Sequence, residues 1–371
     1  MIYLDNAATT KTAPEVVDAM LPYFSEYYGN ASTIYGLGAE SKKAMDHARQ
    51  TIADSLGAKP EEIYFTAGGS ESDNWALKAT AEAYQSKGKH IITSKIEHHA
   101  ILNACAALES MGYDVTYVPV DQWGRVSPQD IEKAIRPETG LVSVMAANNE
   151  VGTIQPIAEI ARIAHAHGVL MHTDAVQAVG HIPIDVAALN VDLLSMAAHK
   201  FYGPKGIGAL YIKNGVKITN LVYGGEQERG LRAGTENTPA IVGMGEALAL
   251  ACSEMDGAAQ QIVHLRDLLE NEIMQRMPEA IVNGDREKRL PGTLHVTFPG
   301  ADTNMLLMRL DMEGIAVSAG SACAAGARER SHVLEAMHVP SGADVRFSLG
   351  TDNDEAQIRQ TVDTLYRILN G

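Results

Sequence analysis

From about residue 60 short apolar runs alternate with amphipathic stretches. EEIYFTAGG, KHIITS, DVTYVPV, GLVSVMAANNE, GVLMHTDA, VDLLSMAAH and GIGALYI are rich in Val, Ile and Leu, and each reads as a strand. Between several of them lie helical patterns such as ESDNWALKATAEAYQSKG and PIAEIARIAHAHG. Near-continuous apolar strands separated by helices predict an α/β fold whose large domain holds a mostly parallel seven-stranded sheet sandwiched by helices. Farther on, 239–252 and 258–277 read as two helices, followed by a strand (GTLHVTF), a helix (TNMLLMRLDMEG), a strand (IAVSAG) and a last helix (DEAQIRQTVDTLYRIL). That mixed block predicts a smaller C-terminal α/β domain, with the boundary near 255–260 in EMDGAA. No internal repeat or low-complexity segment is visible.

Composition narrows the class. A chain of 371 residues is too long for one small core, and a large plus a smaller domain is expected. The net charge of −16 disfavours a broad basic surface for nucleic acid or anionic membrane. No apolar run reaches the ~18 residues of a spanning helix, and MIYLDNAATTKTAP has neither the basic nor the apolar region of a secretory signal. The three cysteines, Cys105, Cys252 and Cys323, are scattered, so neither a disulfide framework nor a cysteine-built zinc site is expected. A cytoplasmic protein with reduced thiols follows from these features.

Candidate chemistry sits where the strands end. In α/β sheets ligands bind outside the carboxyl ends of the strands, and FTAGGSES, KIEHH, ANNE, HTDAVQ and AAHK each place polar groups just there. In FTAGGSES a strand runs through Gly68-Gly69-Ser70 into a helix, whose free N–H groups and dipole suit a phosphate; a plain turn capped by Ser70 is the equal alternative. Asp174 is either a capping residue or a buried carboxylate held ionised by a cation such as a protonated pyridine nitrogen. Lys200 is a surface lysine or an amine nucleophile able to capture an aldehyde. A phosphate cradle, a carboxylate and a lysine are together what pyridoxal phosphate (PLP) requires.

From end to end the motifs YLDNAATT, GNAS, FTAGGSES, EHHA, NNEVGTIQPI, HTDAVQAVG, SMAAHKFYGPKGIGALY, GGEQERGLRAGTEN, SAGSACAAG and VRFSLG stand in one order. In this the chain resembles the cysteine desulfurases of the NifS/IscS type, within the class V aminotransferases of PLP fold type I. The resemblance implies a large PLP-binding domain over 15–257 and a small domain of 1–14 and 258–371 carrying a catalytic cysteine loop. It implies that Lys200 binds the cofactor covalently, and that Gly69, Ser70 and His199 hold its phosphate with Thr235 reaching across from the partner subunit. Asp174 would pair with the ring nitrogen and Gln177 with the ring hydroxyl. His98 would stack on the ring and relay protons, with His99 the weaker candidate because the pattern there is E-H-x-A. Asn149 and Arg346 would grip the substrate carboxylate, a task suited to the planar guanidinium fork; Asn149 would also touch the cofactor.

Cys323 lies in a stretch of small residues, whereas Cys252 has large apolar neighbours and Cys105 a helical pattern. Cys323 is therefore the reactive candidate, and the resemblance makes it the sulfur acceptor, turning L-cysteine into L-alanine with a persulfide left on the protein. The segment from Cys323 to Ser331 resembles the long catalytic loop of the NifS/IscS group rather than the short one of the SufS group. No resident metal is expected, although Cys323 could contact a transferred cluster. The implied assembly is a homodimer handing sulfur to an iron–sulfur scaffold or thiolation enzyme. Three places depart from the family pattern: Ala197 three before the lysine, Tyr35 in place of a histidine, and SAGSACAAG without the second serine and the threonine after the cysteine. The alternatives are a selenocysteine lyase or other class V enzyme, and then a sulfur-transfer scaffold without turnover.

Overall fold

The computed structural model describes residues 1–320 and 330–370. In chain order its strands are β1 (Ile2–Tyr3), β2 (Ile63–Thr66), β3 (His90–Ser94), β4 (Asp114–Val118), β5 (Thr139–Ser143), β6 (Leu170–Asp174), β7 (Leu193–Ala197), β8 (Gly208–Ile212), β9 (Ile281–Asn283), β10 (Thr293–Phe298), β11 (Ile315–Ala316) and β12 (Ala343–Ser348). Seven of them form one sheet in the order β2-β8-β7-β6-β5-β3-β4. Only β8 runs antiparallel, to both β7 and β2, so β2 keeps the direction of the parallel strands.

Burial on both faces explains the unbroken apolar runs. β3, β5, β7 and β8 are buried at every position. Successive side chains nevertheless face opposite layers, as a strand requires. Leu141, Leu193 and Leu210 pack with Trp75 and Leu77 of the helix Gly69–Ala83 and with Ile101 and Leu108 of the helix His99–Ser110. Their neighbours Val142, Leu194 and Ala209 pack instead with Ile52, Leu56, Ile160 and Ala164 from helices on the other side. The predicted seven-stranded sandwich is the observed one.

A second core holds Ile2, Leu4, Leu294, Val296, Phe298, Val345 and Phe347, together with Ile358, Val362 and Leu365 of the last helix. Its antiparallel sheet has the order β12-β10-β9, and β1 pairs in parallel with β11. Two sequence expectations need correction here. The two helices expected over 239–252 and 258–277 are one helix, Thr238–Arg276, of 39 residues. Its first half gives Ile241, Met244 and Leu248 to the sheet core, and its second half gives Ile262, Leu265, Leu269 and Ile273 to the other core. The apolar rhythm fades around EMDGAA because that turn spans the gap between the cores, while no proline interrupts the backbone ladder. The expected strand in IAVSAG shrinks to two residues, and β12, unread in the sequence, carries Arg346. Buried Asp344, Arg346 and Ser348 alternate with Val345 and Phe347 along β12, which hides a strand from any search for apolar runs.

Candidate functional site

β2, β3, β5, β6 and β7 all point their carboxyl ends at one edge of the large sheet, where a cavity of about 290 Å³ opens. Gly69, Ser70, His98, Asn149, Asp174, Gln177, His199, Lys200 and Arg346 all line it. Thr235 is exposed and lines no part of it, and Cys323 lies outside the described residues. A second cavity, of about 310 Å³, lies beyond Ala7 and Gln177 and takes in none of the other predicted residues.

At one end of the site β2 turns through Gly68, at φ 151°, into the helix Gly69–Ala83. The first-turn amides of Gly69, Ser70 and Glu71 have no acceptor among the described residues, as expected at a helix start. A Cβ on Gly69 would stand 2.7 Å from Val176 Cγ2, so only glycine lets the turn pack against the loop after Asp174. Next to it, His199 Nδ1 shares a 3.1 Å hydrogen bond with Thr9 Oγ1. Burial, then the Lys200 charge, push its pKa down to about 4, leaving a neutral imidazole at pH 7. This end of the cavity is built for an anion.

Asp174 closes β6 and is 5% exposed. Its Oδ1 accepts the Val176 N–H at 2.9 Å. Burial raises its pKa, while His98, that same N–H and Lys200 pull it down. His98 caps the helix His99–Ser110, its Nδ1 accepting the Ala100 N–H at 3.1 Å, and burial lowers its pKa. Gln177 Nε2 donates to the Ala7 carbonyl at 2.9 Å. The Lys200 Nζ donates to the carbonyls of Ala7 and Ala8 at 2.6 and 2.8 Å. The segment after β1 is thus one wall of the site.

Arg346, 2% exposed, reaches across from the second core. Its Nη1 donates to the carbonyls of Asn149 and Gly320, both at 2.8 Å, and its Nη2 pairs with Asp5 Oδ1 at 2.7 Å. Asn149 is free to line the cavity because its neighbour Asn148 does the structural work, its Nδ2 donating to Ile96 O and its Oδ1 accepting from Glu150 and Val151.

Several lining residues were not foreseen. Asp73, Glu150 and His332 face the cavity, and Asp5 anchors Arg346. His99, rated below His98, lines it as well, its ring lying edge-on to His332 at 4.9 Å. Asp73 looks in sequence like one more acid in the first turns of a helix, and only the helix's seating against β7 reveals it. Among the described residues no cluster of His, Cys, Asp or Glu suits a metal, and no helix is long and apolar enough to cross a membrane.

Residues 2–361 match the aminotransferase class-V family. A protein of Dictyoglomus turgidum named cysteine desulfurase IscS is 49% identical over 371 residues, covering 99% of this chain and 94% of that protein. One of the same name from Methanosarcina thermophila is 51% identical, covering 99% and 92%. A solved structure called NIFS-like protein superposes with a TM-score of 0.94 at 41% identity over 99% of both chains. Another, described as SspA in complex with cysteine, gives 0.83 at 38% identity over 95% of this chain and 99% of that one. The strand-end cavity and the sequence that builds it are those of a family fold, and the chain belongs to the class-V aminotransferases, among relatives named cysteine desulfurase.

Proposed function

We propose that the chain is a PLP-dependent cysteine desulfurase taking L-cysteine to L-alanine. The observation that carries the reading is the convergence of an anion-binding turn, a buried carboxylate and a lysine on one cavity. The donor set suits PLP at each end: three amides without an acceptor among the described residues and neutral His199 for the phosphate, Asp174 for a ring cation and Gln177 for a ring hydroxyl. Bound there, PLP supplies an aldehyde for the Lys200 amine and an electron sink for the substrate's α-carbon.

This chain's own residues do the rest. Asp174 would pair as an anion with the ring nitrogen, and His98 would stack on the ring and carry protons. Asn149 and Arg346 hold the substrate carboxylate, with Arg346 pre-oriented by Asp5. Cys323 accepts the sulfur: cysteine's Cβ–S bond breaks, an S–S bond forms on the protein, and alanine leaves with the hydrogens conserved. No outside oxidant is needed, and the relative solved with cysteine supports that substrate.

In this reading residues 15–257 hold the cofactor and residues 1–14 with 258–371 carry the cysteine loop. The protein works as a cytoplasmic homodimer, the partner subunit's Thr235 completing each phosphate site, and passes sulfur to an acceptor protein. The segment 21–35 carries Leu21, Phe24, Tyr28, Ile34 and Tyr35, each more than half exposed, which supports burial of that segment in such a dimer. Purified protein given L-cysteine should release alanine and carry one extra sulfur on the Cys323 peptide by mass spectrometry. Cys323→Ser should keep the visible colour change with L-cysteine and lose alanine production at least ~100-fold, since serine's hydroxyl stays protonated near pH 7. Undiminished alanine from that variant would return the chain to the selenocysteine lyase or wider class V readings.

A further inference from the structure

β2 is an edge strand of the large sheet, paired with β8 alone, and it leads into the Gly68-Gly69-Ser70 turn. Side chains take up its outward backbone groups. The Ile63 carbonyl accepts Arg49 Nη1 at 2.6 Å and Arg229 Nη2 at 2.8 Å, and the Phe65 N–H donates to Glu228 Oε2 at 2.9 Å. Arg49, from the helix Gly36–Leu56, also meets Glu228 as a fork, Nη1 to Oε2 at 2.8 Å and Nη2 to Oε1 at 2.7 Å. Arg49 and Glu228 are both buried. The proposed chemistry makes no use of this pair.

The backbone bends sharply to make it. Glu228 and Arg229 stand at φ 46° and 59°, the one place among the described residues where two adjacent non-glycine residues enter the left-handed region. Neither side chain favours that conformation, so the surroundings must hold it. The buried fork holds Glu228, and the Arg229 guanidinium lies 3.8 Å from the centre of the Tyr64 ring. Farther along, Arg232 Nε and Nη2 donate to Glu71 Oε1 and Oε2 at 2.8 and 3.2 Å, in the first turn of the helix that opens the phosphate cradle. Three residues beyond that second tie, Thr235 stands exposed.

We propose that Arg49 and Glu228 are positioning residues that seat the segment 228–235 on the edge of β2, so that Thr235 is held out toward the cofactor of the other subunit. The inference rests on the shared-site reading of Thr235. The cradle of the subunit that owns the segment does not depend on it. There β2 stays paired with β8, and Thr66 Oγ1 and Ser72 Oγ bridge the turn at 2.8 Å. Loss of the fork therefore weakens the site that borrows Thr235 and spares the site beside the fork. In Glu228→Gln one acceptor oxygen replaces two, and the amide NH2 faces either the Arg49 guanidinium or the Phe65 N–H, so one tie fails.

Mixed dimers separate the two effects. A Lys200→Ala copy cannot hold PLP on that lysine, so in a dimer with a Lys200 copy, co-expressed under two tags, the lysine-linked colour reports one site only. Glu228→Gln on the Lys200→Ala copy should speed the loss of PLP from the coloured site on dialysis about fivefold or more, as Thr235→Ala on that copy should. Glu228→Gln on the coloured copy should leave its retention within about twofold. A larger effect from the coloured copy would overturn the proposal, since the pair would then support its own cradle. If Thr235→Ala on the colourless copy acts and Glu228→Gln does not, the positioning role alone fails; if Thr235→Ala does not act, the shared site fails and the proposal with it. In cofactor-free protein the segment 225–235 should exchange its amide hydrogens faster in Glu228→Gln than in the wild type, and equal exchange would also overturn the proposal. Should that variant fail to fold, Arg49→Met/Glu228→Gln, which leaves no buried charge unpaired, takes its place in every arm.

Discussion

Arg346 is fixed from three directions, by Asp5 and by the carbonyls of Asn149 and Gly320, before any substrate arrives. A guanidinium already held in place loses less freedom when it meets a carboxylate. Asp5→Asn should therefore raise the KM for L-cysteine about ten- to a hundredfold with kcat within about threefold, matching a lost charge-assisted bond of roughly 1.5–3 kcal/mol. An unchanged KM would remove Asp5 from substrate binding. Glu97 is a second residue with a measurable signature. Burial pushes its pKa up to about 8, although it accepts hydrogen bonds from Ser94 and the Met145 amide. The folded state thus holds a proton that the unfolded chain releases, so its stabilising share is complete at low pH and is lost as pH rises toward 8. Between pH 6.5 and 8 the wild type should lose stability more steeply than Glu97→Gln, by up to about 1.4 kcal/mol per pH unit, in urea melts of the cofactor-free protein. Equal slopes would show that Glu97 is ionised in the fold. Lys200, Asp174 and His98 were legible in sequence because strand ends meet on one edge. Asp5, Asp73 and His332 were not, since each joins the site only through packing between distant segments.

Among the elements, the helix Thr238–Arg276 was the hardest to read, because its apolar face serves two cores in turn. Gly257 sits in the bridging turn, exposed, and a Cβ there would meet nothing within 4 Å. Gly257→Ala should stabilise the protein by about 0.5–1 kcal/mol, through helix propensity and a less flexible unfolded chain. Gly257→Pro should lower stability by about 3 kcal/mol or more by breaking the backbone ladder there. Chemical denaturation of both variants checks this; a neutral proline would mean that the turn is already broken in solution. The central strands were easy by comparison, since a short apolar run set between amphipathic helices has little place in a fold except as a strand covered on both faces. β12 was lost for the opposite reason, as half of its side chains are polar and serve the site.

For the whole molecule, length and mixed composition were enough to expect two cores, and the −16 charge argued against a polyanionic partner. The proposed assembly rests on resemblance, because an exposed threonine in a glycine-rich loop carries no signal of its own. Thr235→Ala should weaken PLP retention about tenfold while leaving the melting of the cofactor-free protein unchanged. Wild-type protein should sediment as a dimer, and a monomer binding PLP at full affinity when dilute would contradict the shared site.

The wall formed by Asp5, Ala7 and Ala8 also sets a timetable. Asp5 and Arg346 are 341 residues apart in the chain, yet they touch. Ala7, whose carbonyl receives the Lys200 amine, is itself fastened by its N–H to Ser348 Oγ. During synthesis at about 5–20 residues per second, the earlier half of this wall waits roughly 17–70 s for the later half. The sheet and its lysine can fold in that interval, but the lysine's anchor cannot. A nascent chain stalled before residue 343 should therefore hold PLP poorly, and a full-length chain released from the ribosome should gain its grip on the cofactor as its last act of folding.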